Sequence, residues 1–72
     1  MKKKNNVKKY REDRLMTKAA LARDSRLSVL TIDRIERGEN CRLVTMRRIL
    51  DAFGLTVEDR DKVFPREPDP DQ

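Results

Sequence analysis

The sequence has no histidine and a single cysteine, Cys41, among its 72 residues. These shortages exclude a disulfide within the chain, a catalytic triad that depends on histidine, and the usual zinc-finger spacings. Tryptophan is absent, and the three aromatic residues fall at predicted core or interface positions, which leaves no platform for stacking single-stranded bases. We therefore expect no catalytic residues, no cofactor and no metal.

Long apolar runs are also absent. No stretch approaches the roughly 20 apolar residues that a membrane span needs. The charged N-terminus is followed by Asn5, Asn6 and Lys8, not by an apolar signal segment. We expect the protein to stay in the reducing cytoplasm, with no membrane contact. With no second cysteine to resolve an oxidised one, Cys41 is more typical of a small filler than of a redox sensor.

Positive charge dominates the chain. The formal net charge is +5, and the last eight residues hold one arginine against three acidic residues, which leaves +7 on residues 1–64. A domain this basic favours a polyanionic partner. At this length there is room for one domain with a small core, which a second copy of the chain would help to stabilise.

Composition divides the chain into three parts. Residues 1–6 are predicted to be a flexible basic arm, and its lysines either follow a polyanion or form a solvated tail. These are Lys2, Lys3 and Lys4. Residues 65–72, PREPDPDQ, are acidic and broken by proline, which predicts disorder. The folded domain is therefore expected over residues 7–64.

Residues 17–38 contain two short helical patterns, separated by a break that is too short for an ordinary loop. Leu21 and Ala22 share one face of the first helix, and Ile32 and Ile35 recur at the i, i+3 spacing in the second. So short a break makes the two helices cross at a steep angle. That geometry is typical of a helix-turn-helix.

The two helices have matching start signals. Thr17 and Ser28 each offer a hydroxyl that can accept a hydrogen bond from an orphan backbone N–H, and Met16 and Leu27 precede them as apolar staples. Gly38 lies where the second helix should stop. With the isoleucines inward, the outward face of this helix carries the natural probes of a groove. They are Val29, Leu30, Asp33, Arg34 and Arg37.

These motifs resemble the phage-repressor and Cro type of helix-turn-helix family, often called XRE-like. The matching residues are the Leu21-Ala22 pair, Leu27-Ser28, Thr31-Ile32 and the run Ile35-Glu36-Arg37-Gly38. With the flanking segments that resemble the family's first and fourth helices, the likeness covers Val7 to Val63. It implies an all-α, compact five-helix bundle of the phage-repressor DNA-binding-domain type, in which helices 2 and 3 form the helix-turn-helix.

The resemblance also implies a function. Members bind double-stranded DNA and regulate transcription in bacteria and phages, and repression is the default expectation. Helix 3, at about residues 28–37, would read the major groove as a recognition helix. Two alternatives stay open, since an antitoxin would use the same domain for autoregulation, and an adapter would use the helix 3 face to bind a protein.

Base contacts are carried over from the family onto helix 3. They are Val29, Leu30, Thr31, Asp33 and Arg34. Arg34 is the best candidate for bidentate recognition of guanine, although an ion pair with Glu39 is the alternative. Val29 and Leu30 can meet only thymine methyl groups, and Asp33 either accepts from cytosine or pairs with Arg37 four residues on.

Phosphate contacts are expected around the start of helix 2 and at the two ends of helix 3, because free N–H groups and cations collect there. They are Thr17, Lys18, Ser28, Arg37, Asn40 and Arg42. The family's usual residues before helix 4 are absent, and we expect Asn40 to cap that helix.

Two further expectations concern the scaffold. By resemblance, Arg11 and Glu36 form a salt bridge that joins helix 1 to helix 3. Arg26 stands where the family has glycine at the turn, so its left-handed conformation costs about 1 kcal/mol, which a hydrogen bond from Ser25 would offset.

Helices 4 and 5 supply core and contact residues. Helix 4 is expected from about Leu43 to Phe53 with Leu43 and Met46 among its inward residues, and Thr56 opens helix 5 with Asp59 as a capping box. In the family this region makes a two-fold contact, which would place two recognition helices about 34 Å apart on a pseudo-palindromic site. The candidate dimer residues, which could instead close the monomer core, are Leu55, Val57, Val63 and Phe64.

Overall fold

A computed structural model describes residues 5–65 of the chain. The helices are α1 (Val7–Asp13), α2 (Lys18–Ser25), α3 (Val29–Glu36) and α4 (Leu43–Ala52), followed by a 3-10 turn at Val57–Asp59 and α5 (Arg60–Val63). The described part contains no strand, and the all-α, five-helix architecture is confirmed. The basic arm residues Lys2, Lys3 and Lys4 and the acidic tail from residue 66 onward lie outside the described range.

One apolar core joins the helices. Helix α2 packs against both α3 and α4, and α1 contacts α3. The buried apolar residues are Val7, Leu21, Ala22, Ile32, Ile35, Ile49, Leu50, Phe53, Val63 and Phe64. Because α2 lies between its two neighbours, the core fixes the position of α3 and leaves the outer face of α3 exposed.

The predicted helix starts in the helix-turn-helix are confirmed. Thr17 Oγ1 accepts from Ala20 N–H at 3.0 Å, and Ser28 Oγ accepts from Thr31 N–H at 3.0 Å. Each hydroxyl satisfies one donor that the first turn leaves free. Ser25 behaves differently from the prediction, since its buried hydroxyl donates to the Leu21 carbonyl at 2.6 Å inside α2 and does not reach the turn.

Four helices end in the same way. Left-handed backbone angles occur at Leu15 (φ 56°), Arg26 (φ 60°), Gly38 (φ 97°) and Gly54 (φ 74°). The next residue donates its N–H to the carbonyl five positions earlier, as Leu27 does to Ala22 at 2.9 Å, which is a Schellman motif. Glycine adopts these angles without strain, whereas the Cβ atoms of Leu15 and Arg26 crowd the backbone. The left-handed Arg26 was predicted; the left-handed Leu15 was not.

Glycine at either strained position should stabilise the domain. Arg26→Gly and Leu15→Gly are each expected to raise the free energy of unfolding by roughly 0.5–1 kcal/mol, since the strain relieved exceeds the added chain entropy. Little packing is lost, because Arg26 is exposed and Leu15 is 94% exposed. Urea denaturation measures the change. As a control, Arg23→Gly inside α2 should lower the same free energy by about 1 kcal/mol. A lower free energy of unfolding for Arg26→Gly would contradict the inference that the backbone at position 26 is strained.

The folded domain begins earlier than predicted. Asn5 is 8% exposed and its amide donates to the Ile35 carbonyl at 2.7 Å, at the end of α3. Asn6 is held by Val63, whose carbonyl accepts from Asn6 N–H at 2.7 Å. The assignment of residues 5 and 6 to a flexible arm was therefore wrong, because both asparagines use their polar groups to join helix ends.

The start of α4 also differs from the prediction. Leu43 is 69% exposed, so it is not an inward residue. It shares a helical face with Met46 and with the buried Leu50, but at the first turn of α4 it lies at the margin of the core, where it lines an open groove with Val57 and Arg60. Arg42 is the N-cap residue and its side chain makes no capping hydrogen bond, so the expected cap by Asn40 is absent.

The C-terminal segment divides the four candidate dimer residues. Val63 and Phe64 are buried inside the monomer, at 0% and 7% exposure, so they close the core as the alternative proposed. Leu55 is half-buried and packs on that core, whereas Val57 is 62% exposed. Of these residues, only Val57 offers a largely free apolar side chain to a second copy of the chain.

Candidate nucleic-acid interface

The outer face of α3 presents two apolar side chains at its start. Val29 is 47% exposed and Leu30 is 58% exposed. They are the first two helical residues after the Ser28 cap, while Ile32 and Ile35 of the same helix are buried. The core therefore orients α3 so that its first turn projects into solvent, as the sequence pattern predicted.

A cluster of three charged side chains lies across the helix-turn-helix. The Asp33 carboxylate accepts from Lys18 Nζ at 2.7 Å, and its second oxygen lies 2.9 Å from an Arg37 guanidinium nitrogen. The pair with Arg37 confirms the i, i+4 alternative, and the pair with Lys18 was not foreseen. The Asp33 carboxylate therefore pairs with two cationic side chains, which disfavours its predicted contact with cytosine.

The two hydroxyl groups at the start of α3 are bonded to each other. Ser28 Oγ and Thr31 Oγ1 lie 2.8 Å apart, and Ser28 also accepts from the backbone of α3. Thr31, a predicted base contact, thus has its polar atom engaged within the protein. Its methyl group and the remaining hydrogen-bonding capacity of its hydroxyl are what it can offer to a base.

Arg34 stands apart from these pairs. It is exposed, and among residues 5–65 its side chain has no ion-pair or hydrogen-bond partner. The predicted alternative, an ion pair with Glu39, is not formed. Arg34 lies four residues after Leu30, so the two side chains are neighbours on the outer face of α3.

The other predicted phosphate contacts lie in the segments that precede and follow α3 in the sequence. Thr17 caps α2 and is exposed. The Lys18 ammonium has three N–H donors and uses one of them to bind Asp33, so two donors remain for a phosphate. Asn40 and Arg42 are exposed in the loop between α3 and α4. The structure brings Lys18 and Arg37 together through Asp33.

The salt bridge expected from the resemblance is present and joins α1 to α3 on the side opposite to the exposed face. Arg11 donates from Nε to Glu36 Oε2 at 2.7 Å and from a terminal nitrogen to Oε1 at 3.2 Å. The same guanidinium donates to the Met16 carbonyl at 2.8 Å, before α2. The exposed fractions of the Arg11 and Glu36 side chains are 10% and 5%, and the hydrogen bond to Glu36 raises the pKa of Arg11. Glu36 has a structural role here.

Cys41 lines a cavity of about 550 Å³ between the α3–α4 loop and the end of α5, together with Asn5, Met46 and Phe64. It is half-buried, and burial raises the pKa of its thiol. A raised pKa disfavours the reactive thiolate. The surroundings of Cys41 thus support the filler interpretation over a redox sensor.

Together, the fold and this face define a small helix-turn-helix domain. A family model described as a helix-turn-helix domain matches residues 6–63, and the chain belongs to that family. The match agrees with the XRE-like resemblance and indicates a DNA-binding domain. No curated protein and no solved structure matches the chain. Among the helices between residues 5 and 65, none has the length and apolar character required to cross a bilayer.

The cluster around Asp33 makes stability depend on pH. The hydrogen bond from Lys18, aided by the charge of Arg37, lowers the pKa of Asp33. A carboxylate with a lowered folded-state pKa stabilises the fold above its unfolded pKa of about 3.9, and this contribution is lost as the pH falls through the folded value.

Asp33→Asn should therefore lower the free energy of unfolding at pH 7, and its difference from the unmodified protein should shrink below about pH 4. Denaturant titrations at a series of pH values measure both effects. Asp51→Asn is the control, because Asp51 is exposed and has no ion-pair partner in the described range. A difference at position 33 that stays constant from neutral to acidic pH would contradict the assigned role.

Proposed function

We propose that the protein is a sequence-specific regulator of transcription that binds duplex DNA with α3 in the major groove. The observation that carries the proposal is the exposed Arg34 on the outer face of the capped helix α3, where the Arg34 side chain has no partner among residues 5–65. A free guanidinium there suits the bidentate contact to guanine O6 and N7. Membership of a helix-turn-helix family supports the same function.

Phosphate binding would hold the domain on the duplex. Lys18 retains free N–H donors, and Arg37 and Arg42 are exposed cations at the far end of α3 and before α4. The capped start of α2 adds backbone N–H groups and its positive dipole end. These contacts fix the position of α3 and carry no sequence information.

We further propose that the protein acts as a homodimer and a repressor in the cytoplasm of a bacterium or of a phage host. The exposed Val57 and the half-buried Leu55 support a two-fold contact near the start of α5. Two copies would bind half-sites one helical turn apart, and a promoter covered in this way is closed to transcription.

A salt titration tests DNA binding itself. Fluorescence anisotropy of a labelled mixed-sequence duplex between about 50 and 200 mM salt should show an affinity that falls linearly on a log-log scale, with a slope that counts neutralised phosphates. A single strand of equal length should bind more weakly, because no aromatic platform is exposed for its bases. Equal or tighter binding of the single strand would contradict a major-groove reader.

A protein partner is the second candidate, in an adapter or in an antitoxin. The exposure of Val29 and Leu30 is the observation that favours it, since aliphatic side chains at a helix start also suit a protein surface. Co-purification with a neighbouring gene product would favour the antitoxin. DNA binding that is indifferent to sequence and unaffected by Arg34→Ala would favour the adapter.

A further inference from the structure

The first turn of α3 presents apolar side chains on the outer face of the helix. Val29 and Leu30 together form what we term the aliphatic pair, and the pair is half-exposed at the first turn of the helix. Neither side chain can donate or accept a hydrogen bond. A face that begins in this way cannot read the polar edges of bases at those two positions.

Internal hydrogen bonds and ion pairs engage other polar groups of the same face. The Thr31 hydroxyl is bonded to Ser28 at 2.8 Å, and the Asp33 carboxylate is held by Lys18 at 2.7 Å and by Arg37 at 2.9 Å. Among the polar side chains of the five predicted base contacts, Arg34 alone makes no hydrogen bond or ion pair within residues 5–65. The side chains of this face that are not engaged within the protein are therefore Arg34 and the aliphatic pair.

In the major groove, the apolar group that a base presents is the C5-methyl of thymine. We propose that Val29 and Leu30 read pyrimidine C5-methyl groups, so that methyl contacts, together with one guanine, set the sequence preference. This inference rests on the proposed DNA-binding function. It also predicts that 5-methylcytosine, which carries a methyl group at the same ring position, is read as thymine at these positions.

The charges around the aliphatic pair favour DNA over an apolar protein as its occupant. Arg34 is adjacent to Leu30, and Lys18 and Arg37 flank Asp33 on the same motif. Residues 1–64 carry a net charge of +7. A methyl group in the major groove lies between two lines of phosphates, so the apolar and the cationic parts of this face would be satisfied by one ligand.

The helix geometry adds a spacing. Leu30 and Arg34 are four residues apart, which is about 6 Å along the axis of α3. Successive base pairs are about 3.4 Å apart. The methyl group that Leu30 contacts is therefore expected within about two base pairs of the guanine that Arg34 contacts.

Base analogues test this inference. A duplex enriched from a randomised pool is resynthesised with deoxyuridine for thymidine at one position at a time, which removes only the methyl group. At the contacted positions we expect about 3- to 5-fold weaker binding per methyl removed. Placing 5-methylcytosine for cytosine where thymine was preferred should recover part of the affinity.

Variants assign the effect to the aliphatic pair. Leu30→Ala should remove the penalty for deoxyuridine at one position, while Leu43→Ala, at a leucine that is 69% exposed at the start of α4, should leave it unchanged. An enriched duplex whose affinity ignores every uridine substitution would overturn methyl reading and leave the proposed function intact. Failure to enrich any duplex would overturn both.

Discussion

Glu36→Ala is expected to lower the free energy of unfolding by about 3–5 kcal/mol, because it leaves the Arg11 guanidinium buried without its counter-charge. The pair is bidentate and the two side chains are only 10% and 5% exposed, so the variant would leave the guanidinium with its hydrogen bond to the Met16 carbonyl and no carboxylate. For 72 residues the whole stability is roughly 4–11 kcal/mol. Urea denaturation of the variant should therefore show an unfolding midpoint at a much lower urea concentration than that of the unmodified protein.

A double-mutant cycle separates the coupling energy of the ion pair from the packing contributions of the two side chains. Arg11→Met and Glu36→Leu should each destabilise the domain by leaving the other charge buried and unpaired, whereas the two changes combined should recover most of the loss, since apolar side chains replace both charges. The control, Glu58→Ala at an exposed acidic residue, should change the free energy by less than about 0.5 kcal/mol. Additive effects of the two single changes would refute a coupled, buried pair.

Arg34→Ala is expected to cost about 1–3 kcal/mol of binding free energy on the preferred duplex and to relax the preference at one base position. Arg34 is exposed and has no ion-pair partner in the described chain, so its removal should leave the fold intact. Competition binding with duplexes that vary one base pair at a time measures both the loss and the relaxed position.

Two matched variants sharpen the test. Arg34→Lys keeps the charge but loses the planar fork that fits guanine, so it should lose preference with little change in the salt slope. Arg42→Ala should weaken all sequences alike and flatten the salt slope by about 1, since an exposed cation before α4 would meet phosphate. An unchanged base preference in both Arg34 variants would remove Arg34 from the base-reading residues.

Local signals made much of the helix-turn-helix predictable from the sequence. Hydroxyl residues at Thr17 and Ser28 define the helix starts, and the spacing of Ile32 and Ile35 defines the buried stripe of α3, because each depends on residues within one or two turns. The structure confirms both caps and the inward isoleucines. The exposed positions of Val29 and Leu30 follow directly from that stripe.

Features that join distant segments were not predictable in this way. The bond between Lys18 and Asp33 depends on how α2 and α3 are placed across the turn, and Asn5 reaches the end of α3 over thirty positions of sequence. No periodicity encodes either contact. The exposure of Leu43 has a related cause: its spacing from Leu50 gives the correct helical face, but whether that end of the face is covered depends on where the distant segment around Val57 packs.

The most direct test of the account is selection of bound duplexes from a randomised pool at near-physiological salt, followed by sequencing. We expect an enriched inverted repeat with half-sites one helical turn apart, each containing a guanine with a thymine within about two base pairs. Such a result would establish sequence reading and the dimer together. A pool that shows no enrichment, with retention that vanishes as the salt concentration rises, would contradict it and reduce the protein to a non-specific DNA binder.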